Sequence, residues 1–271
     1  MEDQLQRYAQ NQRNQYDTTS RTLEEAQAQI APNYLEVRRI AGRYARFMLQ
    51  QYAIRRGGTT ELSAEDLSRL RILDFGCGVG RVMEAFTELG IGQVDGCDIS
   101  EAMLTHARAS PSLQKSEFFL TNGQDAGAAP EGQYDIAYAF LCLHHIPMRE
   151  TRIAILRSLA KVLAPDGMIF IELKIFPGAT PAKIPPQHAH WSENMVATYT
   201  NSASDVWVTP DALGMVYGDF RLFFFDIALI EFDLGTNHFE FNPSSIYRLG
   251  FNELFVVGSR KPTLKKLAIS Q

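Results

Sequence analysis

The sequence predicts an α/β fold built on a mostly parallel sheet, and three observations predict it. Short apolar runs alternate with stretches of helical period between residues 71 and 173. The first strand ends in a glycine-rich turn, Asp74-Phe75-Gly76-Cys77-Gly78-Val79-Gly80-Arg81, that opens a helix. Two strand-like stretches, Arg221–Asp233 and Phe251–Ser259, stand close together near the end of the chain and are suited to finish the sheet as a pair, with Gly235–Arg248 as their connection.

Residues 1–30 are rich in Gln, Asn, Arg and Glu, a composition that fits a polar helix or a segment that stays loose until something docks on it. From Tyr34 to Tyr52, the residues Leu35, Ile40, Tyr44, Phe47, Met48 and Tyr52 recur at helical spacing, so an amphipathic helix is expected to pack on the main domain. Arg55 to Thr60 reads as a linker, and Ser63 or Asp66 as the start of a short helix. Strand Arg71–Phe75, helix Arg81–Leu89, strand Gln93–Asp98 and helix Glu101–Ala109 follow, the last broken at Pro111. Next come strands Glu117–Thr121 and Tyr134–Phe140 and a helix around Arg149–Leu163. The turn Ala164-Pro165-Asp166-Gly167 leads into strand Met168–Leu173. After Lys174 the alternation stops. Residues 175–220 form an insertion with several prolines and both tryptophans, and an insertion of this size is usually functional. The expected organisation is an N-terminal helical lid or extension over 1–60 and a main domain over 61–271, with the insertion as a cap.

Composition narrows the function. The chain has 271 residues, an ordinary globular composition and a formal net charge of -5, which argues against a general grip on nucleic acid. Met1-Glu2-Asp3-Gln4 lacks the basic and apolar regions of a signal peptide. The most apolar run, Leu222 to Ile230, is too short to span a bilayer and contains Asp226, so no membrane insertion is expected. Cys77, Cys97 and Cys142 have neither metal nor redox spacing and read as small buried residues whose reduced thiols fit the cytoplasm.

The glycine turn points to a ligand. Glycines let the chain leave the strand sharply and let a ligand approach the backbone, while the helix start supplies free N–H groups. The spacing is G-x-G-x-G, not the G-x-G-x-x-G of dinucleotide-binding turns, and Arg81 takes the place of the last glycine. Asp74, just before the turn, suits a cationic ligand group better than a pyrophosphate. The second strand ends in Asp98, where such folds place an acid for ribose hydroxyls. Together these features predict a Rossmann-like domain for a cofactor that carries adenosine.

In these segments the chain resembles the class I S-adenosylmethionine-dependent methyltransferases, over roughly residues 70–175 plus the closing strands. The resemblance is carried by ILDFGCGVGR (72–81), VDGCDIS (94–100), NGQDA (122–126), YDIAYAFLCLHHIP (134–147) and APDGMIFIEL (164–173), all in the expected order. It implies a seven-stranded sheet ending in an antiparallel hairpin, and S-adenosyl-L-methionine as cofactor with S-adenosyl-L-homocysteine as product. It places Asp74, Gly76, Cys77 and Gly78 at the methionine and ribose end, and Asp98 and Ile99 at ribose and adenine. Gly123, Gln124 and Asp125 would surround the adenine edge, and Phe140 and His145 would flank the site after the fourth strand. Plainer readings stand beside these: Asp98 as a helix cap, Gln124–Asp125 as turn residues, Phe140 as core.

The acceptor side is less legible. His145, or His144, is the candidate base if the acceptor loses a proton, with loop packing as the alternative. In the insertion His188, His190 and Trp191 are candidates to face a small-molecule acceptor, and no metal is expected there. Glu172 and Lys174 reach the same side by topology, and Tyr16 is a candidate contact from the N-terminal segment. The expected activity is methyl transfer to an oxygen or nitrogen of a small molecule. A non-catalytic cofactor-binding protein and a nicotinamide-dependent oxidoreductase are the alternatives, the latter disfavoured by the early third glycine and Asp74.

Overall fold

The computed structural model describes residues 2–19, 34–140, 142–143, 146, 149–175, 197–199, 206–208, 218–232, 239–240 and 252–261. The helices are α1 (Glu2–Thr19), α2 (Tyr34–Gly57), α3 (Ala64–Arg69), α4 (Arg81–Glu88), α5 (Glu101–Ala109) and α6 (Arg149–Val162). The strands are β1 (Arg71–Phe75), β2 (Gln93–Asp98), β3 (Phe118–Leu120), β4 (Tyr134–Ala139) and β5 (Leu163–Ile175) in the first part of the chain. They continue with β6 (Ala197–Tyr199), β7 (Val206–Val208), β8 (Phe224–Phe232), β9 (Phe239–Glu240) and β10 (Asn252–Arg260).

All these strands join one sheet, whose main order is β3-β2-β1-β4-β5-β10-β8-β9. The pairs among β1 to β5 are parallel, and β10 runs antiparallel between β5 and β8. The expected seven-stranded mixed sheet with its terminal antiparallel pair is therefore present, in a Rossmann-like arrangement. Short additions extend it: β9 pairs with β8, and β6 and β7 pair with each other and reach β5 through Val208 opposite Ile175. The strand order reverses at β1, which lies between β2 and β4, so the crevice for a ligand opens at the carboxyl ends of these strands.

Local chemistry explains the element boundaries. A capping box starts α3, in which Asp66 N donates to Ser63 Oγ at 3.1 Å and Ser63 N donates to Asp66 Oδ2 at 3.2 Å. The amphipathic α2 buries Tyr44, Phe47, Met48 and Tyr52 and sets Phe47 edge-on to Phe170 at 6.4 Å between ring centroids. It also runs through Arg55 and Arg56 to Gly57, about one and a half turns beyond Tyr52, where polar contacts hold its end. Arg55 pairs with Asp226 at 2.6 Å and Arg56 with Asp166 at 3.2 Å, which converts the first residues of the expected linker into helix. The expected turn at 164–167 lies inside β5: Tyr134 faces Leu163 and Ile136 faces Met168, so the four intervening residues bulge from a continuing strand.

The sheet separates two apolar layers. On one side, α2 and α4 cover Ile72, Ile136, Tyr138 and Phe170; on the other, Ile155, Leu156 and Leu159 of α6 cover Leu73, Ala137 and Ile169. Arg149 at the start of α6 makes a forked ion pair with buried Asp219, with Nε at 3.0 and 2.9 Å from the two carboxylate oxygens. This contact ties the chain returning from the insertion to the helix that follows β4. No helix among the described residues is long and apolar enough to cross a membrane.

Candidate functional site

The glycine turn adopts left-handed backbone at Gly76 (φ +77°), Gly78 (φ +53°) and Gly80 (φ +84°), which side chains disfavour. A Cβ on Gly76 would also stand 2.4 Å from Cys142 Sγ. The turn hangs from the end of β2. Gly76 N and Cys77 N donate to Cys97 O at 2.7 and 3.1 Å, and Gly78 N donates to Asp98 Oδ2 at 2.9 Å. Gly80 is the N-cap of α4, and a Cβ there would meet Leu113 Cδ1 at 2.4 Å. The third glycine thus serves helix entry and packing, which explains why it departs from the dinucleotide spacing. Cys77 packs its thiol under the turn, where a Cβ on Gly96 would lie 2.8 Å from Sγ, so it offers a ligand backbone rather than sulfur.

Asp74 lies in register with Tyr138 across β1 and β4, and the Tyr138 hydroxyl donates to its Oδ2 at 2.7 Å. Among the described residues Tyr138 is the donor this carboxyl has, and only 3% of Asp74 is exposed. Burial pushes its pKa up to about 8; the Tyr138 hydrogen bond opposes the rise and the nearby Asp98 charge adds to it. The Tyr138 hydroxyl is itself pushed well up, first by burial and then by Asp74. A cation beside this carboxyl would restore its charge.

Asp98 is already partly employed. Its Oδ2 accepts from Gly78 N and its Oδ1 from Ser100 N, each at 2.9 Å. Burial nevertheless raises its pKa, against the pull of the Ser100, Gly78 and Ile99 amides. With three amides on a carboxylate that accepts about four donors, room is left for a hydroxyl. Ser100 caps α5 by accepting from Met103 N at 3.2 Å, so the helix cap is Ser100 and not Asp98. Thr121 N donates to Asp98 O at 2.9 Å, which brings the 121–127 loop alongside.

In that loop Gly123 is left-handed, at φ +84°, and a Cβ there would meet Ile99 Cδ1 at 2.8 Å, so Ile99 and Gly123 form one wall. Gln124 N donates to Asn122 Oδ1 at 2.7 Å. Asp125 accepts from Asn122 Nδ2 at 2.8 Å and Gly127 N at 2.9 Å, the contacts of a turn residue. Phe140 is buried against α2, its ring centroid 4.3 Å from that of Tyr44. Tyr16 of α1 packs on Val79 and Met103, beside the glycine turn. His144, His145, His188, His190 and Trp191 lie outside the described residues.

Two α1 residues that pattern reading passed over also meet this site. Arg13 donates to Ile99 O and Thr121 O, and Asp17 accepts from Ser100 Oγ. Nothing local in a polar helix marks them, because their partners lie 83 to 108 residues away in sequence.

A family model described as a methyltransferase domain matches residues 72–167, the segment from β1 into β5 that carries the turn, Asp98 and the 121–127 loop. The matched segment is also the one in which the sequence resembles the class I S-adenosylmethionine-dependent methyltransferases. It is similar to a ubiquinone biosynthesis O-methyltransferase of Neisseria meningitidis, 32% identical over 108 residues, covering 39% of this chain and 44% of the relative. The protein of the same description from Hydrogenovibrio crunogenus is 32% identical over 108 residues, covering 39% and 43%. The match therefore spans less than half the length of these curated relatives. A solved Pyrococcus horikoshii structure shares the fold at 18% identity, with TM-score 0.51 and coverage of 81% of this chain and 91% of that one. The residues present fit the cofactor of this methyltransferase family. Two carboxyl groups, Asp74 and Asp98, border the turn and suit a cation and hydroxyl donors, whereas a pyrophosphate would add negative charge beside groups that burial already pushes toward the protonated form.

Proposed function

We propose that this protein transfers the methyl group of S-adenosylmethionine to an oxygen or nitrogen of a small-molecule acceptor. The observation that carries the reading is Asp74: a carboxyl 3% exposed beneath the glycine turn, with its pKa pushed up to about 8 until a cation offsets its charge. In this reading Asp74, Gly76, Cys77 and Gly78 hold the amino-acid end of the cofactor. Asp98 accepts from the ribose hydroxyls, and Ile99, Gly123, Gln124 and Asp125 border the adenine. When bound, the cofactor supplies a methyl group already activated by positive sulfur, and the protein's part is alignment.

The curated relatives above are named as O-methyltransferases, which favours oxygen as the acceptor atom. A hydroxyl acceptor needs a proton acceptor, and His145 or His144, which comes after β4 in sequence, takes that role in this reading. In this reading residues 1–60 are the lid or extension and about 175–220 the substrate cap, whose His188, His190 and Trp191 are the candidates to meet the acceptor, while Phe140 belongs with the cofactor residues. The protein works in the cytoplasm, as its reduced cysteines suggest.

Calorimetry tests the cofactor assignment: saturable binding of S-adenosylmethionine is expected, with none of a nicotinamide dinucleotide. The reverse selectivity would overturn the proposal. Formation of S-adenosylhomocysteine with hydroxylated but not amine acceptors is the expected turnover result, and His145→Ala should slow it by about 100-fold or more. Binding without turnover on any acceptor would reduce the protein to a cofactor-binding one.

A further inference from the structure

The N-terminal helix α1 is attached to the main domain in an unusual way for a packed helix. Its sequence, EDQLQRYAQNQRNQYDTT, has few apolar residues, and a helix of this length is marginal without tertiary support. Among the described residues, its long-range hydrogen bonds converge on one place. The Arg13 guanidinium spans two loops, Nε donating to Ile99 O at 3.1 Å and Nη2 to Thr121 O at 3.0 Å. These are carbonyls just past the ends of β2 and β3, where the ladder no longer supplies donors. One fork therefore fixes the separation of the two loops.

A turn later, Asp17 Oδ1 accepts from Ser100 Oγ at 2.6 Å and from Ala102 N at 3.3 Å. Ser100 in turn accepts from Met103 N, so Asp17 extends the cap of α5 from another helix and adds negative charge at the positive end of its dipole. Tyr16 lies on Val79 and Met103 between these contacts. At the other end, a Cβ on Gly123 would come 3.4 Å from Ala9 Cβ. These partners sit on three segments that border the proposed cofactor site: the glycine turn, the end of β2 with the first turn of α5, and residues 121–123.

We infer that Arg13 and Asp17 are positioning residues for the cofactor: they latch α1 over the adenosine end and set how long the cofactor is held. The inference rests on the methyltransferase reading. The latch acts through the loops and need not touch the ligand. None of the buried residues of the two main apolar layers comes from α1 among the described residues, so loss of either side chain releases the helix while the core of α2, the sheet and α6 stays intact. Arg13 is not replaceable by lysine, whose single ammonium cannot hold two carbonyls in a fixed fork. Asp17→Asn, by contrast, keeps an acceptor for Ser100 Oγ.

The test is stopped-flow and equilibrium binding of S-adenosylhomocysteine to the full chain, with thermal unfolding of the cofactor-free protein alongside. Arg13→Ala and Asp17→Ala are each expected to weaken binding about tenfold, chiefly through faster dissociation, with Tm of the cofactor-free protein moved by less than about 2 °C. Asp17→Asn should recover most of the affinity and Arg13→Lys should not. In turnover the change should fall on KM for the cofactor rather than on kcat. Wild-type dissociation rates in both alanine variants, or a loss of affinity matched by an equal loss of Tm and restored by neither conservative change, would overturn the latch. Wild-type protein that fails to bind S-adenosylhomocysteine would overturn the cofactor reading itself, and the latch with it.

Discussion

Two buried aspartate–tyrosine pairs mark opposite ends of the central strands, and they are built for different ends. At the amino edge, Tyr134 donates to Asp95 Oδ2 at 2.9 Å, while Gln93 Nε2 and Glu117 N donate to Oδ1 at 2.6 and 2.8 Å. Arg71 approaches the same carboxylate at 3.8 Å and lies 5.4 Å over the Tyr134 ring. At the carboxyl edge, Asp74 has the Tyr138 hydroxyl and, among the described residues, no further donor. The first carboxylate is saturated by its own protein and knots β1, β2, β3 and β4 together. The second is desolvated and under-supplied, a state that costs stability and suits a ligand bringing its own charge. One sheet thus spends its polar groups on structure at one edge and on binding at the other.

The largest expected effect lies at the structural edge. Asp95→Ala leaves three donors and a guanidinium facing an apolar gap, and should cost about 3–5 kcal/mol in urea unfolding. A loss below about 1 kcal/mol would mean that this pair is not the knot described. At the binding edge, Asp98→Ala should weaken cofactor binding by about 100-fold, measured by calorimetry, with a stability loss of only about 1–2 kcal/mol from the freed Gly78 and Ser100 amides.

Asp74→Asn should separate the two edges by sign. Its carboxyl has an ordinary pKa of 3.8 that rises to about 8 in the folded protein, so the folded state holds its proton where the unfolded chain has lost it. The stability this group contributes is full below about pH 3.8 and is lost as pH rises through about 8. The amide does not titrate, so Asp74→Asn should gain stability relative to wild type as pH is raised toward 8 and hold a constant difference above it. Denaturant midpoints at a series of pH values would show this, and a variant that loses ground with rising pH would sink it. The smallest effect is that of Tyr138→Phe, which removes the donor to Asp74 and should move its titration further up, beyond about 8, read by carboxyl-resolved NMR.

The sheet was legible because its signals are local. Alternation, the glycine turn and the acid ending β2 each depend on residues within a few positions, and all three recur in the structure at the expected places. Element ends were less so. Helix α2 extends through Arg55 and Arg56 because Asp226 and Asp166 receive their charges, and the 164–167 bulge stays within β5 because both sides of it pair with β4. The parts of the site that pattern could not supply, Arg13 and Asp17, are joined to it only by the fold. A polar helix carries no periodicity that says which of its charges will find a strand-end carbonyl. Asp125, conversely, was easy to single out, and what the pattern did not show is that each of its oxygens also accepts a hydrogen bond from its own loop.

The central claim is that Asp74 accepts a cationic cofactor, and one comparison tests it most directly: S-adenosylmethionine affinity of wild type and Asp74→Asn by calorimetry between about pH 6 and 9. The ligand's own amine titrates near the ordinary α-amino range of about 7.7–8.0, so the ratio of the two affinities is the quantity to follow. Ionisation of Asp74 is linked to binding, so the wild-type advantage should be small at the acid end and grow to about tenfold or more once the pH passes about 8. A ratio that stays near one across the whole range would contradict the account, because the buried carboxyl would then have no part in holding the cofactor.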